Sequence, residues 1–171
     1  MNSHRHIGDR RSHGNEISAV SCIPRDPSQY FSILIAVSFW GSNHIEIFSI
    51  AENRLKLVCK TATLPHVPRS VLLHNFVRDS AGSDSRAHLL ASLGNGTVVS
   101  FVFKNRTLSD QKTVHLGGAP VCMIALPYEI NARPAVLASG SRASIFYWDR
   151  NRLQNTPIVF KVGDSDQQVL R

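Results

Sequence analysis

One pattern occurs three times along this chain and constrains its fold more than any other feature. Each copy is an apolar run with an alanine near its end, a short polar turn, and a second run that carries aromatic residues. The copies read ILIAVSFWGSNHIEIFSI, LLASLGNGTVVSFVF and AVLASGSRASIFYW. Short β-branched and aromatic runs separated by Gly, Asn and Ser are typical of antiparallel hairpins, because these residues accept the backbone conformations of tight turns. The sequence therefore predicts three copies of one hairpin-based unit.

The spacing of the copies predicts the architecture. Ala36, Ala91 and Ala138 are expected to take corresponding places, 55 and then 47 residues apart. Each copy has room for two further strands, and a four-stranded unit with a period of about 50 residues is typical of a β-propeller blade. We therefore expect an all-β fold with about three WD-repeat-like, four-stranded blades at approximately 16–64, 65–116 and 117–162. A sandwich or a barrel is the alternative.

Twelve strands are predicted, and no sustained helical periodicity competes with them. Their expected ranges are 17–23, 31–39, 44–50, 54–60, 69–77, 87–94, 96–103, 112–116, 121–127, 134–140, 143–148 and 157–162. The segments PRSV and LSDQK are expected to connect strands of successive blades, with Asp110 capping a turn. Residues 1–15 are expected to form a disordered, basic, His-rich tail, and residues 163–171 a tail or the start of a next blade. Since propellers close with about four to eight blades, three blades predict an incomplete ring and a piece of a longer protein.

Charge and cysteine content narrow the function classes. The formal net charge is +7, but the Lys and Arg residues are scattered and match no nucleic-acid-binding motif, so a direct nucleic-acid contact is the weaker expectation. The apolar stretch FSILIAVSFW is about half the roughly 20 residues of a membrane span, and no secretory signal is recognisable at the N-terminus. Cys22, Cys59 and Cys122 form no CxxC pair, so we expect three reduced, buried thiols in a nuclear or cytosolic protein.

No catalytic pattern is present. The sequence lacks GxSxG, HExxH and phosphate-binding Gly-rich motifs. His4, His6 and His13 lie in the tail, and the other five histidines (His44, His66, His74, His88 and His115) fall in separate strands or loops without acidic residues at ligand spacing. We expect neither enzymatic activity nor a metal or cofactor.

Four segments resemble a known family of propeller proteins. They are ILIAVSFWGSNHIEIFSI, PRSVLLHNF, HLLASLGNGTVVSFVF and TLSDQKTVHLGGAPVCM. The family comprises the large subunit of the UV-damaged-DNA-binding complex, the largest cleavage and polyadenylation specificity subunit and a propeller subunit of the spliceosome. The resemblance covers about residues 17–162, and LSDQKTVHLGGAPV is its most specific stretch.

This resemblance implies a function. It places the chain in the later blades of the middle propeller, which in the ubiquitin-ligase adaptor of this family docks cullin-4. The implied role is a non-catalytic scaffold in DNA-damage response and ubiquitination, with a cullin-4-type protein and other ligase-complex proteins as partners. The implied location is the nucleus, with the cytoplasm as a second site, and any nucleic-acid contact is indirect. The alternatives are a related RNA-processing subunit that contacts nucleic acid and a truncated product without independent function.

Three residues are candidates for a protein interface. Trp40 ends a strand and precedes GSN, and the resemblance places a Trp at the matching point of the cullin-docking propeller. Aromatic residues are frequent interface anchors, but packing of Trp40 between neighbouring blades is the favoured alternative. Asn43 and His44 are expected to line the same surface. The Trp148–Asp149 dipeptide is instead expected to pack blades and to form a hydrogen bond beside a turn.

Overall fold

The structure, a computed structural model, describes residues 16–26, 29–51, 54–76, 87–127, 133–150 and 152–159. The predicted tails at 1–15 and 163–171 lie outside these ranges. Within them the chain forms twelve strands and no helix. The strands are β1 (Ile17–Asp26), β2 (Gln29–Phe39), β3 (Ile45–Ala51), β4 (Arg54–Lys60), β5 (Pro68–Asn75), β6 (Ala87–Leu93), β7 (Thr97–Lys104), β8 (Thr107–His115), β9 (Cys122–Ala125), β10 (Ala135–Ser139), β11 (Ala143–Asp149) and β12 (Arg152–Ile158).

These strands form three separate four-stranded sheets. In each sheet the strands lie in chain order and every neighbouring pair is antiparallel. We call them blade 1 (β1–β4), blade 2 (β5–β8) and blade 3 (β9–β12). The first strands of successive blades pack against each other, as do the fourth strands of blades 1 and 2. The structure confirms the all-β prediction of three propeller blades in an open, incomplete ring.

Burial follows from the stacking of blades. Every residue of β6, the second strand of the middle blade, is buried, because this strand is covered on both faces. In β10, by contrast, Leu137 is only half-buried between the buried Val136 and Ala138. Two apolar clusters fill the gaps between blades. One contains Ile47 and Leu89 and joins blades 1 and 2, and the other contains Leu90 and Phe146 and joins blades 2 and 3.

The predicted correspondence of the three alanines is wrong by one residue in blade 1. Ala91 packs toward blade 1 and Ala138 toward blade 2, so each faces the blade before it. Ala36 faces the blade after it, since it pairs with Ser21, whose Oγ accepts a hydrogen bond from the Leu73 N–H of blade 2 at 2.9 Å. The residues that do correspond are the serines that close each central hairpin: Ser38 pairs with Ile45, Ser92 with Val98 and Ser139 with Ala143.

Two strand predictions are also wrong. Segment LSDQK does not connect strands but lies within β8, and Asp110 caps no turn: it has a φ of 51° in a β-bulge where two residues oppose Phe101. Asp tolerates this left-handed conformation better than most residues. Strand β12 starts at Arg152, five residues before the predicted start at 157, because it pairs with β11 from Asp149 onward.

Blade 2 contains a tight hairpin turn, and close backbone contacts connect it to blade 3. The β7–β8 hairpin closes through Asn105 and Arg106, whose φ values of 51° and 63° are those of a type I′ turn. A Cβ on Gly96 would lie 1.7 Å from the Gly117 carbonyl oxygen, and a Cβ on Gly117 would lie 2.4 Å from the Cβ of Ser141. The central turns of both blades therefore meet at the linker between them.

Each outer blade leaves one apolar face uncovered. On blade 1 the uncovered face includes Val20 and Leu55, which are 54% and 62% exposed, and on blade 3 it includes Ile124, which is 56% exposed. Cys22 and Cys122 lie on these faces and are exposed, whereas Cys59 packs between blades 1 and 2 and is half-buried. The prediction of three buried thiols is therefore wrong for two of them, because Cys22 and Cys122 lie on the exposed faces of the outer blades.

We predict that Gly117→Ala destabilises the chain while Gly118→Ala does not. Gly117 has a φ of 96°, and its Cβ would clash with Ser141, whereas a Cβ on Gly118 would meet no atom within 4 Å. We expect a loss of about 2 kcal/mol for Gly117→Ala and a change within about 0.5 kcal/mol for Gly118→Ala. Urea unfolding measures both, and equal midpoints would contradict the close approach described above.

We also predict an order of thiol reactivity. Burial raises the pKa of the Cys59 thiol, which lowers the fraction of reactive thiolate at neutral pH. Iodoacetamide should therefore modify Cys22 and Cys122 faster than Cys59, as followed by peptide mass spectrometry. In denaturant the three rates should converge. Labelling of Cys59 in the folded chain at the rate of the other two would contradict this assignment.

Candidate interaction site at the first blade

A rigid turn between β2 and β3 carries the three candidate interface residues. Trp40 directly follows β2, and its N–H donates to the Glu16 carbonyl oxygen at 2.8 Å. The Leu64 N–H donates to the Asn43 carbonyl oxygen at 2.7 Å, which ties the turn to the linker between blades 1 and 2. The turn is therefore anchored at both ends by backbone hydrogen bonds.

His44 is held by its own side-chain contacts. Its Nδ1 lies 2.8 Å from the Ser42 Oγ, and its Nε2 lies 3.5 Å from the Glu46 Oε1. The Ile45 N–H donates to the Thr61 Oγ1 at 3.0 Å, which fixes the start of β3. The imidazole is thus positioned by a hydroxyl on one side and a carboxylate on the other.

Trp40 combines exposure with a defined orientation. Trp40 is 45% exposed, although Ser38 and Ser42 on either side of it are buried. The Arg69 guanidinium carbon of blade 2 lies 4.4 Å from the centroid of the Trp40 ring. Such a cation–π contact favours one ring position. Trp40 therefore touches the next blade through one part of its ring and presents the rest to solvent, and its role in a protein interface stays a prediction.

Sequence reasoning missed Arg69. The segment PRSV is predicted to connect blades, whereas in the structure Arg69 is the second residue of β5. The repeat could have indicated this contact. If the first strands of successive blades pack together, the start of β5 lies near the start of β1, and β1 pairs there with the end of β2 that leads into Trp40. Arg69 is exposed apart from its contact with Trp40.

A second aromatic group lies between blades 2 and 3. The Trp148 ring lies 4.9 Å from the ring of His88, which lies 5.2 Å from Phe76, and the His74 ring lies 4.6 Å from Phe76. His74 and His88 are opposite each other in β5 and β6, a pairing that the sequence did not reveal. Trp148 packs against the core cluster of blades 2 and 3, which confirms its predicted packing role.

Asp149 forms the predicted contact beside a turn. Its Oδ1 accepts a hydrogen bond from the Arg133 Nη1 at 2.7 Å. Arg133 lies just before β10, and Asp149 is the last residue of β11. The pair therefore closes one end of blade 3.

The described residues contain no group of three or more His, Cys, Asp or Glu residues placed to hold a metal ion. His4, His6 and His13 lie outside them. No helix with the length and hydropathy of a membrane span occurs in the same ranges.

Stacked four-stranded antiparallel sheets, joined in chain order, define this chain as part of a β-propeller. Comparison with protein-family models identifies which one: residues 6–167 match the RSE1/DDB1/CPSF1 second beta-propeller, and the chain belongs to that family. No curated protein matches it significantly. The match confirms the resemblance at the level of the family and of the propeller within it. This is a family of propeller scaffolds that act through protein interactions.

We predict that removing the Arg69 guanidinium changes the environment of Trp40 alone. The chain has two tryptophans, so its indole N–H groups give two NMR signals. Arg69→Ala should shift the Trp40 signal, leave the Trp148 signal in place, and cost about 0.5–1 kcal/mol of unfolding free energy. Arg54→Ala, at another exposed arginine, should shift neither signal. An unchanged Trp40 signal in Arg69→Ala would contradict the contact.

Proposed function

We propose that this chain is a non-catalytic docking module for a cullin-4-type scaffold protein, and that Trp40 is the anchor of the docking surface. Asn43 and His44 contribute the polar rim beside it. In this function the propeller presents a rigid surface to an elongated partner in a nuclear ubiquitin-ligase complex. The propeller itself makes and breaks no bond.

The observation that carries the proposal is the exposed but immobilised Trp40. A side chain that is already ordered loses less conformational entropy on binding than a mobile one. Tryptophan is among the residues that most often dominate interface energetics. Trp40 has a cation on one side of its ring and a turn fixed by hydrogen bonds beneath it. Membership of a family that includes DDB1 supports a partner of the ligase class.

A second candidate function is nucleic-acid contact in an RNA-processing assembly. The family also includes RSE1 and CPSF1, and the net charge is +7. Arg54, Lys56 and Lys60 are exposed on β4, which places three cations on one strand. Phosphate contacts from such residues would make binding strongly dependent on salt.

We predict that Trp40→Ala weakens binding to an immobilised cullin-4-type protein by about 30-fold, equivalent to about 2 kcal/mol. Biolayer interferometry measures the dissociation constant, and circular dichroism verifies that the variant is folded. The matched control is Leu55→Ala, which truncates another exposed apolar side chain of blade 1 and should leave the affinity unchanged.

Equal affinity of Trp40→Ala and the unaltered chain would exclude Trp40 as the anchor. Unfolding of Trp40→Ala would assign the residue to packing, and in that case Arg69→Ala tests the site by altering the ring position without deleting it. Binding of single-stranded RNA that is lost on replacing the three β4 cations, together with no cullin binding, would favour the second candidate.

A further inference from the structure

A cavity of about 210 Å³ lies between blades 2 and 3, on the side of blade 2 away from Trp40. Its inner wall contains His88, Trp148 and Leu153, which belong to or contact the apolar cluster between these blades. Its mouth contains three charged and exposed residues, Asp110, Lys112 and Arg152. The cavity therefore has a largely apolar interior, which also includes the buried polar residue Ser100, and a charged entrance.

The charges at the entrance are held by the fold. The Lys112 Nζ donates to the Leu153 carbonyl oxygen at 2.9 Å, which bridges the two blades and fixes the ammonium group at the mouth. Among the described residues, Asp110 and Arg152 form no ion pair with each other or with another side chain. Two cations and one anion give the entrance a net positive charge.

The position of Asp110 depends on a backbone conformation that is unfavourable for most residues. Its φ of 51° places it in the left-handed region, and the β8 bulge opposes two residues to Phe101. Bulges of this kind redirect side chains and are frequent beside functional sites. Residues held in such conformations concentrate at ligand-binding sites as well. Here the bulge brings both Asp110 and Lys112 to the cavity mouth.

Size and chemistry indicate what the cavity holds. Small-molecule sites usually have volumes of about 300–1,000 Å³, so 210 Å³ suits one inserted side chain rather than a cofactor. The rings of Trp148 and His88 favour an aromatic group, because aromatic pairs gain from edge and offset contacts. The positive entrance favours negatively charged neighbours of that group.

We propose that the cavity between blades 2 and 3 is a binding site for an acidic peptide segment of a partner protein, whose aromatic side chain enters between the blades. The acidic residues on either side of the aromatic group contact Arg152 and Lys112. This site is separate from the Trp40 surface and does not depend on the function proposed for it.

The test uses the 171-residue chain with ¹⁵N-labelled indoles. The probe is the capped peptide Asp-Glu-Phe-Glu-Asp, and the comparison peptides replace its Phe with Gly or its acidic residues with Lys. The first peptide should shift the Trp148 indole signal in a saturable manner and leave the Trp40 signal in place. The two comparison peptides should bind at least about tenfold more weakly, since each lacks one half of the recognised chemistry.

Variants with effects of opposite sign locate the site. Arg152→Glu should weaken binding of the acidic peptide about tenfold, whereas Asp110→Asn should strengthen it about threefold. Asparagine tolerates the left-handed backbone as aspartate does, so Asp110→Asn changes the charge and keeps the bulge. The control is Lys56→Glu, the same kind of charge reversal on exposed β4 of blade 1, which should not change the affinity.

Three results would overturn the proposal. They are no shift of the Trp148 signal at millimolar peptide, equal binding of the Gly-containing peptide, and equal losses in Arg152→Glu and Lys56→Glu. The last would mean general attraction of an acidic peptide to a basic protein. If Arg152→Glu fails to fold, the gain expected for Asp110→Asn decides the question.

Discussion

The packing of one sheet against the next is the interaction on which the rest of this structure depends. Among the described residues, no strand of one blade pairs with a strand of another, so the twelve strands form three separate hydrogen-bonded sheets. They are joined by two apolar clusters and by a small number of polar contacts, among them the Ser18 Oγ–H bond to the Pro68 carbonyl oxygen at 3.0 Å. Blade 2, which has a neighbour on each side, buries every residue of its second strand, β6. Apolar burial between sheets therefore holds the blades in place.

Both candidate sites are products of this packing. Trp40 is oriented because the turn that carries it lies beside the first strand of the next blade, in which Arg69 is the second residue. The cavity lies between blades 2 and 3, and the contacting rings of Trp148 and His88 belong to its lining. Side chains at the boundaries between blades are ordered by two elements at once. A rigid scaffold with partly exposed boundary residues is well suited to binding other macromolecules without catalysis.

The sequence predicted the number, type and grouping of the strands because these depend on local patterns. Alternating apolar residues and turn residues can be recognised within a window of ten or so residues. The alignment of corresponding residues in different blades depends instead on the length of the turn between the second and third strands, and this length varies. Six residues separate Ser38 from Ile45, five separate Ser92 from Val98, and three separate Ser139 from Ala143. Matching the alanines therefore displaced blade 1 by one position, which in a strand exchanges its two faces.

The features that the sequence did not reveal all require a partner distant in the chain. The contact of Arg69 with Trp40, the pairing of His74 with His88 and the bulge at Asp110 are fixed by neighbouring strands or blades. The exposure of Cys22 and Cys122 likewise reflects what lies beside a sheet rather than what lies within it. The packing role of Trp148 was predictable because the dipeptide it forms with Asp149 is a local pattern.

The two uncovered faces are not equivalent. The uncovered face of blade 1 corresponds to the face of blade 2 that carries Leu89 and packs against the preceding blade. The uncovered face of blade 3 corresponds to the opposite face of blade 2, which packs against the following blade. Contact between these two different surfaces would join blades head to tail. Such heterologous contacts either close into a ring or continue as a filament. A two-fold arrangement, which pairs identical surfaces, would not reproduce the geometry between blades. The handedness with which any further sheet extends this array is therefore already fixed by the contact between blades 1 and 2.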